Sequence, residues 1–139
     1  MFMEVVMSVG GVDLMSSALA TIMTPRTSVA IQGLSAGILS WFSSAIGVVW
    51  PTMVPTVGDI AATVGVSPNG LISIMCLTAA FAGLSPASTG GALILAANAT
   101  DPEFTKEKEN RLFVRLFIYS ALMVIIISVA ALLGVYSIL

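Results

Sequence analysis

Polar positions are rare along this chain, and their spacing marks out its elements. Charged side chains are absent from residues 27–58, a run of 32, from 60–100, a run of 41, and from 116–139, a run of 24. Each run exceeds the roughly 20 residues that an α-helix needs to cross the hydrocarbon of a bilayer. The longest is interrupted by one polar cluster, Leu84-Ser85-Pro86-Ala87-Ser88-Thr89-Gly90-Gly91. Pro86 removes a backbone donor and biases Ser85 away from helical dihedrals, and Gly90 and Gly91 tolerate conformations that other residues resist, so a helix breaks here. In lipid a break is sustained only where protein or a water-filled cavity satisfies the freed N–H and C=O groups. The cluster therefore implies a buried polar site.

The remaining pattern predicts a succession of helices. Residues 1–11 are apolar apart from Glu4 and are closed by Gly10-Gly11. They are too short to span and read as the end of a spanning helix whose beginning is missing. Over residues 12–26, Val12, Met15, Leu19 and Ile22 share one helical face while Asp13, Ser16, Ser17 and Thr24 gather on another, the pattern of an amphipathic helix lying in the interface. Residues 27–57 carry a stripe of small residues, Gly33, Gly37, Ser40, Ser44 and Gly47, and then Pro51 and Pro55. Two short limbs around the Ser43-Ser44 apex make a re-entrant hairpin. Residues 58–69, punctuated by Asp59, Gly65, Pro68 and Asn69, read as an outer loop. Residues 70–100 form the broken helix, 101–115 a polar loop and 116–139 the last spanning helix.

Composition narrows the class. At 58% hydrophobic and 9% charged, with a mean hydropathy of +1.06, the chain has too little polar surface to coat a water-soluble globule, so an integral membrane protein embedded in a lipid bilayer is expected. The net charge of −2 and the lack of a basic cluster argue against a nucleic-acid partner. With no histidine and one cysteine, Cys76, a zinc site or Cys-His nucleophile lacks its parts, and without paired carboxylates inside the apolar runs no general acid or base is on offer. The chain does not read as an enzyme. Eight of its twelve charges fall within residues 101–115, among them Lys106, Lys108, Arg111 and Arg115, four of the five basic residues. The positive-inside rule places that loop in the cytoplasm and the C-terminus outside. Asp59 and Arg26 then sit at the outer mouth of the hairpin.

Two polar apices in neighbouring apolar segments suggest a solute site. A helix N-terminus offers N–H groups and a positive dipole end to an anion, and a helix C-terminus offers carbonyl oxygens to a cation. With no charged side chain in either run, an anion would be held by hydroxyls, backbone N–H groups and the cation itself. The competing reading is structural: serine and threonine often bond to backbone carbonyls in membrane helices, and a stripe of small residues is often plain packing.

The residues from Gly37 to Thr56, which include Trp41, Ser43-Ser44-Ala45-Ile46-Gly47 and Trp50-Pro51, together with Leu84-Ser85-Pro86-Ala87-Ser88-Thr89-Gly90-Gly91, resemble the C-terminal part of permeases of the ion transporter superfamily. The nearest branch is that of the divalent anion:sodium symporters and their malonate-carrier-like dicarboxylate relatives. The resemblance implies an all-α fold of re-entrant hairpin, discontinuous helix and final spanning helix, equivalent to the second inverted repeat of a secondary transporter. It implies Na⁺-coupled movement of a small dicarboxylate-type organic anion across a bacterial-type plasma membrane, by an elevator-like shift within a homodimer. Ser43, Ser44, Ser85, Ser88 and Thr89 would meet the anion, and Ser43, Ala45, Gly47, Ser85, Pro86 and Thr89 would surround Na⁺, with no transition metal. Where the family reads Ser-Asn-Thr at the hairpin tip, this chain has Ser43-Ser44-Ala45, lacking one amide and one hydroxyl. Its Ser85-Pro86-Ala87-Ser88 stands where those symporters read Thr-Pro-Pro-Asn. The family has two inverted repeats and this chain one, so an N-terminal permease half is the expected partner and the chain alone is expected not to transport. The alternative is a non-transporting assembly subunit that docks partner helices through its small-residue stripe.

Overall fold

The stripe of small residues is where the fold closes. The computed structural model describes residues 4–5, 8–101 and 103–138, and is helical, with no strand among the described residues. Its helices are α1 (Gly11–Ile22), α2 (Ser28–Trp41), α3 (Ala45–Val64), α4 (Pro68–Ala82), α5 (Thr89–Asn98) and α6 (Lys106–Leu132), followed by a 3₁₀ turn, Val135–Ile138. The centre is α2 laid along α4, with α6 packed against both. A β-carbon on Gly33 would stand 2.6 Å from Ile74 Cγ1, and one on Gly37 2.8 Å from Val124 Cγ1. The stripe therefore lets α2 approach α4 and α6 of its own chain, so these two glycines are spent on internal packing.

Apolar contacts extend this centre. Ala36, Val49, Met53, Met75 and Ala79 join α3 to the pair, and Ala30, Ile74, Ile127 and Ala131 join α6. Met23, Val57, Ile60, Ala61 and Leu71 close the end at which α1 meets α3 and α4. The outer face of α6 is apolar and exposed, with Ile118, Ile125, Val129 and Leu132 each about half accessible or more. Two helices, α3 and α6, are long and apolar enough to cross a membrane, which fits membrane association.

Several expected boundaries move. The second limb of the hairpin does not stop near Val57. It runs on to Val64 as one helix of 20 residues. Pro51 and Pro55 fail to end it because the helix changes its hydrogen-bond phase around them. It passes from a π turn, Ala45–Val49, to α, Trp50–Met53, to 3₁₀, Val54–Thr56, and back to α, Val57–Val64, with each proline in the first turn of its piece, where a missing N–H costs little. The outer loop expected over 58–69 consequently shrinks to residues 65–67, with Gly65 in the left-handed conformation at φ 75° as the stop for α3.

The polar loop expected over 101–115 is also mostly helix. Thr105 caps α6 by accepting from the Lys108 N–H at 3.4 Å, Glu107 and Glu109 lie in its first turn, and Glu107 pairs with Arg111 at 2.9 Å. Glutamate, lysine and arginine are good helix formers, and this order of charges suits a helix start. Residues 1–11 lie partly outside the described residues. Of them Glu4, Val5 and Ser8 are helical, and Gly10 turns the chain at φ 71° into α1.

Candidate functional site

Two interruptions, residues 42–44 between α2 and α3 and 83–88 between α4 and α5, stand at the same end of the α2–α4 pair. Ser40 Oγ donates to the Ala79 carbonyl at 2.8 Å, tying the last turn of α2 to the last turn of α4 just before both breaks. Beyond this tie the chain turns back at each break, and the starts of α3 and α5 border a common cavity of about 440 Å³. Its wall includes Ser43, Ser44, Ala45, Ile46 and Trp50 on one side, and Ala80, Gly83, Leu84, Ser88, Thr89, Gly90 and Leu93 on the other. No charged side chain lines it.

Each start is a serine cap. Ser44 has extended dihedrals, φ −93° and ψ 128°, and its hydroxyl accepts from the Gly47 N–H at 3.0 Å. Ser88, at φ −91° and ψ 166°, accepts from the Gly91 N–H at 3.4 Å. Extended backbone with a side-chain oxygen turned onto the third N–H is the ordinary geometry of a helix N-cap. Two helix N-termini therefore converge on one uncharged cavity. Their first N–H groups have no partner within the helix, and the two dipole ends add positive potential there.

The hydroxyls differ in what remains free. Ser43 Oγ donates to the Leu39 carbonyl at 2.6 Å. Ser88 Oγ reaches the Gly83 carbonyl and, at 2.7 Å, the Ser85 carbonyl. Both protons are taken by backbone. Ser44 accepts a bond but donates none among the described residues, and Thr89 Oγ1, on the exposed start of α5, does neither. These two hydroxyls remain as donors for a ligand, which is a narrower set than the serines and threonine taken together.

Of the residues expected at a site, Ser43, Ser44, Ala45, Ser88 and Thr89 stand on the cavity wall, while Ser85, Pro86 and Gly47 do not. Ser85 is fully buried beneath the break, where its hydroxyl accepts from the Ala87 N–H at 3.3 Å. Pro86 is buried beside it, and Gly47 faces outward from the π turn. The role expected of Gly90 and Gly91 also changes. Neither has a positive φ. A β-carbon on Gly90 would stand 2.5 Å from the Gly83 carbonyl oxygen, and one on Gly91 would overlap the Ser85 carbonyl. Glycine is required here by close backbone approach and not by unusual dihedrals.

Sequence reasoning missed Trp50 as part of the wall. The π turn, in which Val48 and Val49 N–H groups both donate to the Ser44 carbonyl at 2.9 and 3.1 Å, adds a residue to the first turn of α3 and so changes which side chains face the cavity. The Trp50 indole N–H is buried without a partner among the described residues. Only the unusual Trp-Pro pair at the helix start hinted at it. Comparison with known proteins adds nothing to this geometry: no family model, no curated protein and no solved structure matches the chain.

Proposed function

We propose that the chain is the C-terminal half of a secondary active transporter that moves a small dicarboxylate-type organic anion, coupled to Na⁺, and that an N-terminal half completes the site. The observation that carries this reading is the meeting of two capped helix N-termini at one uncharged cavity in a chain with two helices able to cross a membrane. Discontinuous membrane helices use such ends to hold a carboxylate without placing a charge in the bilayer. In this reading the 42–44 break serves as the tip of a re-entrant hairpin whose short limb is α2, and the repeat to which it belongs is the second of an inverted pair. Ser44, Thr89 and the N–H groups of the two helix starts hold the anion. Carbonyl oxygens of the breaks, near Ser43, Ala45 and Ser85, hold Na⁺. The assembly reading is weaker because Gly33 and Gly37 already receive side chains of the same chain.

The test is uptake of radiolabelled malonate or succinate into proteoliposomes in which the chain is reconstituted together with the N-terminal half that completes it, with and without an inward Na⁺ gradient. Na⁺-driven accumulation that falls at least about tenfold in Ser44→Ala, with a smaller loss in Thr89→Val, is expected, since a hydrogen bond to a charged group is worth more than a neutral one. Absence of diacid uptake with any cation gradient rejects the transporter reading, and uptake that follows a proton gradient but ignores Na⁺ rejects the coupling ion.

A further inference from the structure

A larger cavity, of about 600 Å³, lies between α1 and α3. Its polar wall is Asp13, Ser16, Ser17 and Thr21 from α1 and Asp59 and Thr63 from α3. On each helix these positions follow the spacing of a single face, so one polar stripe from each helix lines the cavity. Asp13, Ser17, Thr21, Asp59 and Thr63 stay exposed, so the two faces form an open polar groove with Ser16 at its floor.

The charges follow the same pattern. Of seven acidic residues, four lie in residues 101–109 and one is Glu4; the other two, Asp13 and Asp59, 46 positions apart in the sequence, both line this cavity. No lysine or arginine lines the cavity, and neither carboxylate has an ion pair or hydrogen bond among the described residues. The second observation is Ser16. It is only 6% exposed, it stands on the cavity wall, and its hydroxyl has no hydrogen-bond partner among the described residues. Thr21, on the same face, bonds back to the Ala18 carbonyl at 2.7 Å. The small part of Ser16 left accessible includes its oxygen, which is open to the cavity and so within reach of water or a ligand.

We propose that this cavity binds a hard divalent cation, with the Asp13 and Asp59 carboxylates as its charged ligands and the Ser16 hydroxyl and water as its neutral ones. All side-chain donors on the wall are oxygens, which favours calcium- or magnesium-like ions over softer metals. No third acidic, histidine or cysteine side chain joins the pair among the described residues, so hydroxyl and water must complete the shell. Ca²⁺ accepts such a mixed, irregular set, whereas Mg²⁺ demands a regular octahedron. The inference is independent of the transport reading, because it concerns different residues and a different readout.

The experiment is calorimetric titration of CaCl₂ into the full chain in detergent micelles, in chelator-treated buffer containing KCl. Saturable binding in the range of about 0.1–1 mM is expected, as for exposed oxygen sites with few carboxylates. Asp13→Asn and Asp59→Asn should each weaken it at least about tenfold and Ser16→Ala about threefold, while Glu107→Gln, outside the cavity, leaves it unchanged. Ca²⁺ should also raise the thermal midpoint of the wild type but not of either asparagine variant, with circular dichroism showing that each retains its helices. No saturable heat up to about 10 mM, or equal affinity in the wild type and both asparagine variants, overturns the proposal.

Discussion

The two helix interruptions border the same cavity but are held in different ways. The 83–88 break is held locally: Ser88 bonds to the Gly83 and Ser85 carbonyls, Ser85 is fully buried beneath it, and Gly90 and Gly91 lie against the same carbonyls with no room for a β-carbon. The 42–44 break is held from a distance. Ser43 and Ser44 are only half-buried, and their place depends on α2 being seated on α4 and α6 through Gly33, Gly37 and Ser40. One break is a rigid knot, and the other is an adaptable end supported by packing. In a two-sided site this assigns the adjustable contacts to Ser44 and the start of α3, with the start of α5 as the fixed wall.

Gly91→Ala is the most severe way to break this comparison. Its new β-carbon would meet the backbone of Ser85 and the Leu84 carbonyl oxygen at 2.7 Å, neither of which can rotate away as a side chain could. Overpacking against such a surface costs about 3 kcal/mol or more. Thermal unfolding in detergent should show a clearly lowered midpoint, and a midpoint equal to that of the wild type would mean that the second break is not rigid.

Gly37→Leu attacks the other break through its support. The leucine would collide with Val124, a side chain that can shift, so the expected cost is about 2–3 kcal/mol. The difference from Gly91→Ala should show in location as well as size. Hydrogen exchange should rise over residues 42–49 and along the α2–α6 contact while residues 83–91 keep their protection. Uniform loss of protection would show that the two breaks unfold as one unit.

How far the sequence announced this arrangement depends on whether a feature is local. Ser85-Pro86 and Gly90-Gly91 mark an interruption by their own chemistry, and long uncharged runs mark helices, so the all-helical class and the region of the second break were legible. The continuity of α3 was not. Pro51 and Pro55 with Asp59 beyond them suggested a short limb ending near residue 57, and only a change of hydrogen-bond phase, which no composition reveals, lets one helix run through both prolines to Val64. Charge misled in the opposite direction at Lys106 to Arg115, where a polar sequence with helix-forming residues and a threonine cap is the first part of α6. The meeting of the breaks depends on Ser40 reaching Ala79, a contact 39 positions apart that follows from how α2 and α4 pack and not from either segment alone. The same holds for Asp13 and Asp59.

Serine-to-alanine changes at the two caps sharpen the comparison further. Ser88→Ala removes a cap and the single hydroxyl proton shared between two carbonyls, and should cost about 1–2 kcal/mol. Ser44→Ala removes a cap alone, about 1 kcal/mol, yet it deletes one of the two uncommitted hydroxyl donors. Stability should therefore fall more in Ser88→Ala and, if the cavity holds an anion as proposed, affinity for malonate or succinate more in Ser44→Ala. Paired melting and binding measurements separate the two. If both properties fall in parallel, the distinction between a fixed and an adjustable wall fails.

Ser128→Ala supplies the smallest effect and the reference for the others. Ser128 is 3% exposed on the inner face of α6, and its hydroxyl has no partner among the described residues. Removing a buried hydroxyl that makes no bond gives up nothing and relieves its desolvation, so the change should be neutral or stabilising by up to about 1 kcal/mol. The sign is what matters here. A serine as deeply buried as Ser88 would then be stabilising at the break and indifferent or unfavourable in α6, which ties the cost of Ser88→Ala to its carbonyl bonds and not to burial of a small side chain. A loss at Ser128 as large as that at Ser88 would show instead that any buried serine in this fold is defended by packing, and the case for a specially bonded second break would lapse.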